Sequence, residues 1–272
     1  MLQTIKKSRK VLTYGGLVVL FLLGSLITTL LLNGYSFGPN LLLQAPGTII
    51  LSVPKGSSQV IVDDKLKTIT QVDDEKITLS GLSPRLHTIF VTQENFWPWG
   101  KNIIVKEHET IEISSFITPR VVQVAELLQS HPRYRELVNL INKSSLPNVS
   151  NPKIFADGTL AVWVEGGNKI IAEWRGEDKK KPWYFSCTDD KTCPSLVTII
   201  TTESPIKSTD FYGKERDIIM IALKDGVYAL EVGPVGIQNF QPLYTGENPR
   251  FYKENFTGFF VLDGKKLMEI SF

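Results

Sequence analysis

Apolar and polar residues follow three different rhythms along this chain. From Val11 to Gly34 it reads VLTYGGLVVLFLLGSLITTLLLNG, with no charged residue. At ~1.5 Å per helical residue this run exceeds the ~30 Å hydrocarbon core of a bilayer, so a transmembrane helix is predicted over residues 11–34. Residues 35–46 stay uncharged, carry Gly38, Pro39 and Pro46, and read as a linker. Between 47 and 118 the period falls to two. TIILSV, QVIVDD, KITLSGL, HTIFVTQ, NIIVKE and TIEISSF, separated by Gly, Pro, Ser or Asp, have the alternation of strands with one buried face. A small β-sandwich is predicted over 47–118.

Helical spacing returns in residues 119–142, where Val121, Val124, Ala125 and Leu128 recur on one face. Pro132 interrupts the ladder and Ser130 can cap a new start, so two short helices are expected. The second presents Leu137, Val138 and Ile141. Residues 119–150 thus form a helical connection and loop. From 151 to 272 three hairpins follow: LAVWVEGGNKIIAEW, IIMIALKDGVYALEV and GFFVLDGKKLMEISF, turning at Gly167, Gly226 and Gly264. Glycine supplies the positive φ such turns use. Each hairpin is preceded by a short proline-led strand, at Pro152, Pro205 and Pro249, which makes an internal repeat. The last two turns stand about 40 residues apart, the period of a four-stranded propeller blade. The first two stand farther apart, and the excess falls in KKKPWYFSCTDDKTCPS, an insertion. A closed propeller needs about four blades or more. Three are legible, so the fold class is mainly β, ending in blade-like antiparallel repeats of a degenerate or partial propeller. An ordinary β-sandwich is the competing arrangement.

The segment GTIILSVPKGSSQVIVDD followed by ITLSGLSPRLHTIFV resembles the PEGA domain. That family's pattern is a strand, a Pro-x-Gly-x turn, a strand ending in acid, and a Leu-x-x-Gly or Leu-x-Pro step. Pro54, Lys55, Gly56 and Ser57 stand at the name-giving tetrapeptide, from which Lys55 and Ser57 depart, and Leu82-Ser83-Pro84 replaces the glycine-containing step. The resemblance implies a surface-exposed β-sandwich of a bacterial-type envelope that binds or spaces other molecules and has no activity of its own. The repeats resemble WD40-like or related propeller blades in architecture, without the His and Trp-Asp signatures.

Charge refines the picture. Of 30 Lys and Arg residues, Lys6, Lys7, Arg9 and Lys10 precede the apolar run, and without them the formal +2 becomes slightly acidic. No clustered basic face remains to displace counterions from phosphates, which argues against nucleic acid as a partner. The basic cluster before the apolar run, with none just after it, predicts a cytoplasmic N-terminus and extracytoplasmic β domains. A cleaved signal peptide is the alternative, but its apolar core spans only ~7–15 residues and ends in a small-residue site. Residues 1–10 are then a cytoplasmic tail and residues 11–34 an anchor in the lipid bilayer.

Candidate chemistry is sparse. Cys187 and Cys193 either close a tight disulfide loop in an oxidising compartment, worth ~2 kcal/mol, or remain thiols. His87, His108 and His131 are scattered, so no metal is expected, and no cofactor motif is present. No nucleophile elbow, phosphate loop or zinc-protease motif occurs. Neighbouring acids such as Asp63/Asp64 point to opposite faces if they lie on a strand. The expectation is a non-enzymatic protein; a hydrolase, which would need two converging carboxylates, is the least favoured reading. Phe96, Trp97 and Trp99, around Pro98, are the candidate ligand-binding residues. Such rings stack on a sugar or dock a protein partner; alternatively they cap the sandwich core or meet the membrane interface. The expected function is anchored presentation of β domains that bind protein or glycan. A structural spacer or self-assembling homo-oligomer, pairing through open strand edges, is the other class.

Overall fold

The apolar run folds as helix α1 (Leu2–Leu32), within which Tyr14–Leu32 is long and apolar enough to cross a membrane and packs against nothing. Three of its hydroxyls bond within the helix: Ser25 Oγ donates to Leu22 O at 2.9 Å, Thr28 Oγ1 to Gly24 O and Thr29 Oγ1 to Ser25 O, each at 2.8 Å. A helix in hydrocarbon needs this, because lipid offers no hydrogen bonds. Gly34, at φ +85°, ends it. Tyr35 N–H donates to Leu30 O and Gly34 N–H to Leu31 O, the two bonds of a Schellman cap.

The computed structural model describes residues 2–38, 41–69, 75–185, 194–213, 216–254 and 258–271. After α1 come β1 (Ser36–Phe37) and β2 (Leu43–Gln44), which form a two-stranded ribbon within the expected linker. Then follow β3 (Gly47–Ser52), β4 (Ser58–Val62), β5 (Lys65–Ile69), β6 (Lys76–Leu82), β7 (Leu86–Gln93), β8 (Trp99–Ile104) and β9 (Thr110–Ser114). The chain divides into two compact units, the first of residues 1–51, 76–87 and 104–113, the second of 52–75, 88–103 and 114–272.

The first unit holds α1, the ribbon and a three-stranded sheet in the order β6-β3-β9. Alternation works there as expected: Ile49, Leu51, Leu79, Leu82, Ile111 and Ile113 are buried. A side chain at Gly34 would run into the carbonyl of Gly81, so the helix terminus sits against β6.

In the second unit β5-β4-β7-β8 form a four-stranded sheet, with Val60 opposite Val91 and Val62 opposite Ile89, all buried. Strand β5 was not legible in the alternation, because its burial is low throughout. Asp63 and Asp64 are not strand residues. Both have positive φ, 50° and 62°, and turn β4 into β5. Asp63 is held by Thr88, whose N–H reaches its carboxylate at 3.1 Å.

The remaining elements are β10 (Gln123–Leu127), α2 (Tyr134–Lys143), β11 (Lys153–Ile154), β12 (Leu160–Glu165), β13 (Lys169–Trp174), β14 (Leu196–Thr201), β15 (Ser208–Phe211), β16 (Ile218–Ala222), β17 (Gly226–Glu231), β18 (Phe240–Thr245), β19 (Arg250–Tyr252), β20 (Gly258–Asp263) and β21 (Lys266–Ser271). They build three four-stranded antiparallel sheets, β11-β12-β13-β14, β15-β16-β17-β18 and β19-β20-β21-β10. The sheets remain open and do not close into a propeller ring. The first two share one core: Leu160, Val162, Ile170, Ala172 and Trp174 pack with Ile219, Ile221, Leu230 and Val232. Burial of both faces explains the unbroken apolar run IIMIA of β16.

Two expectations are corrected. Residues 123–127, read as helix from their spacing, are a strand that pairs in register with β21, from Gln123 opposite Ser271 to Leu127 opposite Leu267. The third repeat supplies only three strands of its own, and the free edge of β21 offers β10 a full ladder. The supposed apolar stripe buries little: Val121, Val124 and Leu128 are exposed. Gly226, read as a turn glycine, is not among the residues with positive φ, unlike Gly167 (+82°) and Gly264 (+59°). There a Cβ would meet Tyr244 O of the neighbouring strand, so close approach is what requires glycine.

Helix α2 forms where the second helix was expected. Its Leu137 and Ile141 are buried with Phe260 and Leu267, and Val138 packs beside them. It begins at Arg133 with no side-chain cap, and not at Ser130; the Arg133 guanidinium instead bonds Glu254 Oε1 at 2.6 Å. The insertion falls between β13 and β14. Its described part has two short 3₁₀ turns, and Tyr184 and Phe185 of the second are buried in the shared core. Cys187 and Cys193 lie outside the described residues.

Phenols shielded from water in whole or in part give the fold an alkaline limit. Burial, then the Asp217 carboxylate 2.5 Å from its hydroxyl, pushes Tyr184 well above the ordinary range. Burial lifts Tyr212 to about 12, and burial followed by bonds to Asp225 and Asp263 lifts Tyr228 and Tyr244 to about 12. A raised folded-state pKa favours the neutral phenol, so this stability is complete below the unfolded value of ~10 and disappears as pH rises through the folded values. Circular dichroism with tyrosine ultraviolet titration should therefore show unfolding setting in only above the ordinary tyrosine range, with these phenols ionising together with the loss of structure; phenols that titrate normally in a folded protein would contradict this.

Candidate functional site

The aromatic cluster is split by the fold. Trp99 opens β8 and is 1% exposed, so its ring belongs to the core. Phe96 and Trp97 are partly exposed on the turn before it. That turn is tied down: Asn95 adopts φ +64°, Trp97 N–H donates to Thr118 O at 2.9 Å, and Arg120 donates to Phe96 O and lies over the Trp97 ring at 5.4 Å. Arg120 covers one face of that ring.

Behind the turn lies a buried polar cluster. Alternation along β8 directs Trp99, Lys101 and Ile103 the same way, and Lys101 is fully buried. Its Nζ donates to Glu231 Oε2 at 2.8 Å and to Gly233 O at 3.0 Å, beneath the Trp183 ring at 5.2 Å. Asn239 pairs with the free edge of β8 as another strand would: Gly100 N–H donates to its Oδ1 and its Nδ2 donates to Gly100 O, both at 2.9 Å. The same Nδ2 reaches Glu231 Oε2 at 2.9 Å. Gln241 continues the pattern, accepting from Thr118 N–H and Oγ1 at 2.7 and 2.8 Å and donating to Pro98 O and Phe116 O. The cluster ties the β5-β4-β7-β8 sheet to the second repeat. Transferring so many polar groups from water costs little net energy only because each is paired.

A cavity lies where the leading strands of all three repeats converge. Lys153 of β11, Ser208, Thr209 and Asp210 of β15, Tyr252 of β19 and the following Lys253 contribute to a space of about 340 Å³, within the ~300–1,000 Å³ of small-molecule sites. Lys153 Nζ bonds Asp210 Oδ2 at 2.6 Å. Lys253 Nζ bonds Phe211 O at 2.6 Å. Burial lowers the Lys253 ammonium below its ordinary range; Asp210 opposes that shift and Lys153 adds to it. Thr209 Oγ1 is buried and has no hydrogen-bond partner among the described residues. Two lysines and one aspartate stand in the cavity wall.

None of these residues had been singled out in the sequence. The signals were a lysine in the inward phase of a strand between Trp99 and Ile103, a glutamate within the apolar VYALEV, and polar residues just after Pro152 and Pro205. Among the described residues no three His, Cys, Asp or Glu side chains gather to hold a metal. His87 Nε2 is committed to Ser83 O at 2.7 Å, and His131 accepts from Arg133 N–H at the start of α2. Of the lysines beside Trp183, Lys180 and Lys181 pair with Glu177 and Asp178.

No protein-family model matches the sequence, and no curated protein matches it.

Gln241→Leu keeps the volume but leaves the Thr118 N–H and the carbonyls of Pro98 and Phe116 unpaired. The expected loss is about 1–3 kcal/mol, read as a lower denaturant midpoint with unchanged m-value; a variant as stable as the parent would show that the amide clamp contributes nothing.

Proposed function

We propose that this chain is a single-pass membrane protein of the cell envelope, non-enzymatic, which presents PEGA-like and blade-like β domains outside the cytoplasm to bind a glycan. Helix α1 crosses the bilayer with Lys6, Lys7, Arg9 and Lys10 on the cytoplasmic side, as the positive-inside rule requires. The observation that carries the binding role is the cavity where Lys153, Asp210 and Lys253 meet from three successive repeats. Repetition of one supersecondary unit brings equivalent strands to a common point, and small polar ligands bind in such concave, partly charged spaces. The Arg120-covered turn at Trp97 is the weaker site. A spacer role draws support from the buried clamp around Gln241 and Asn239, which joins the four-stranded sheet to the repeats without a flexible hinge.

Two measurements test this reading. Protease added to intact cells should digest the β domains and leave α1 with the membrane; protection of the β domains until the cytoplasmic face is opened would reverse the orientation. On an array of neutral and uronate-containing oligosaccharides the detergent-solubilised chain should retain at least one member, and Lys153→Met should lose at least ~10-fold in affinity, equivalent to about 1.4 kcal/mol. Retention unchanged in that variant, or no oligosaccharide retained by the unaltered chain, would remove the cavity from the proposal.

A further inference from the structure

Lys101, Glu231 and Asn239 carry more chemistry than a structural ion pair needs. All three are buried, with Lys101 at 0% exposure and both partners at 7%. Two nitrogens converge on one carboxylate oxygen: Lys101 Nζ at 2.8 Å and Asn239 Nδ2 at 2.9 Å from Glu231 Oε2. Asn239 Oδ1 already accepts the Gly100 N–H at 2.9 Å. An amine, a carboxamide, a proton carrier between them and a donor on the amide oxygen are the parts of an acyl transfer.

The geometry points to an intramolecular isopeptide bond between Lys101 Nζ and Asn239 Cγ, formed with Glu231 as proton carrier. Glu231 takes a proton from the Lys101 ammonium, and the neutral amine attacks Cγ. Negative charge then develops on Oδ1, where the fixed Gly100 N–H stabilises it. Glu231 passes its proton to Nδ2 and receives one from the new C–N nitrogen. The Cγ–Nδ2 bond breaks, ammonia departs as ammonium with that last proton, and Glu231 ends as the carboxylate it began as. One C–N bond forms and one breaks, the chain loses one ammonia, and no oxidant, reductant or metal takes part. The Gly233 carbonyl orients the amine at 3.0 Å and the Trp183 ring covers it, so water does not compete at Cγ. Fixing amine and amide side by side in the folded state supplies the proximity that two free side chains lack. The bond joins β8 to the segment entering β18, turning the clamp between the four-stranded sheet and the second repeat into a covalent brace.

Intact-mass spectrometry of the full chain purified in detergent, with peptide mapping, tests it. The expected result is a mass one ammonia below that of the sequence and a single linked peptide containing both Lys101 and Asn239. Asn239→Ala and Glu231→Gln should each restore separate peptides and remove the ammonia deficit. Separate peptides from the unaltered chain overturn the proposal, whether the mass is full or is one ammonia short through a succinimide at an asparagine. The measurement on the unaltered chain decides the matter even where a variant does not fold.

Discussion

A lysine ammonium with no exposure to water constrains everything around it. Stripped of solvent, Lys101 must find its whole hydration shell in the protein, and it does so in Glu231, the Gly233 carbonyl and the Trp183 face. Removal of one member of such a pair strands the other in a medium that cannot solvate it. That demand explains why Glu231 stands in an otherwise apolar strand and why the insertion brings Trp183 back over the site. Asn239, whose amide also reaches Glu231, pairs with the backbone of β8, and Gln241 pairs with that of residues 98 and 116–118. The second unit therefore holds together through directional bonds as much as through apolar area.

The repeats depend on a different constraint, the unpaired sheet edge. Two of them contain four strands in sequence order, but the third has three, and β10 comes from before α2 to complete it. The edge that β21 would expose is thereby paired, and α2 covers the sheet face carrying Phe260 and Leu267. The edges of the third sheet thereby become β10 and β19, and the sheets do not close into a ring. The same arrangement brings residues of β11, β15 and β19 to one cavity.

Helix α1 obeys rules of its own. Its Tyr14–Leu32 span is not buried in the protein, Ser25, Thr28 and Thr29 bond within the helix, and the chain leaves it at Gly34 through a backbone cap. These features are compatible with a membrane anchor or a signal sequence, and the helix leads directly into β structure.

What could be read without coordinates were the features governed by neighbours in the chain. Charge-free length marked α1, period-two alternation marked most strands between 47 and 118, and Gly167 and Gly264 marked turns because positive φ is a local demand. The proline-led repeat in 151–272 was legible for the same reason. Local spacing misled at Val121 to Leu128, where helical periodicity lost to a ladder offered by β21, more than a hundred residues later. It was silent on β5, whose exposed face has no alternation to read. The polar cluster and the cavity depended on tertiary structure alone. Lys101 and Glu231, or Lys153 and Asp210, lie on strands far apart in sequence, and only the packing of sheets brings their charges within hydrogen-bond reach.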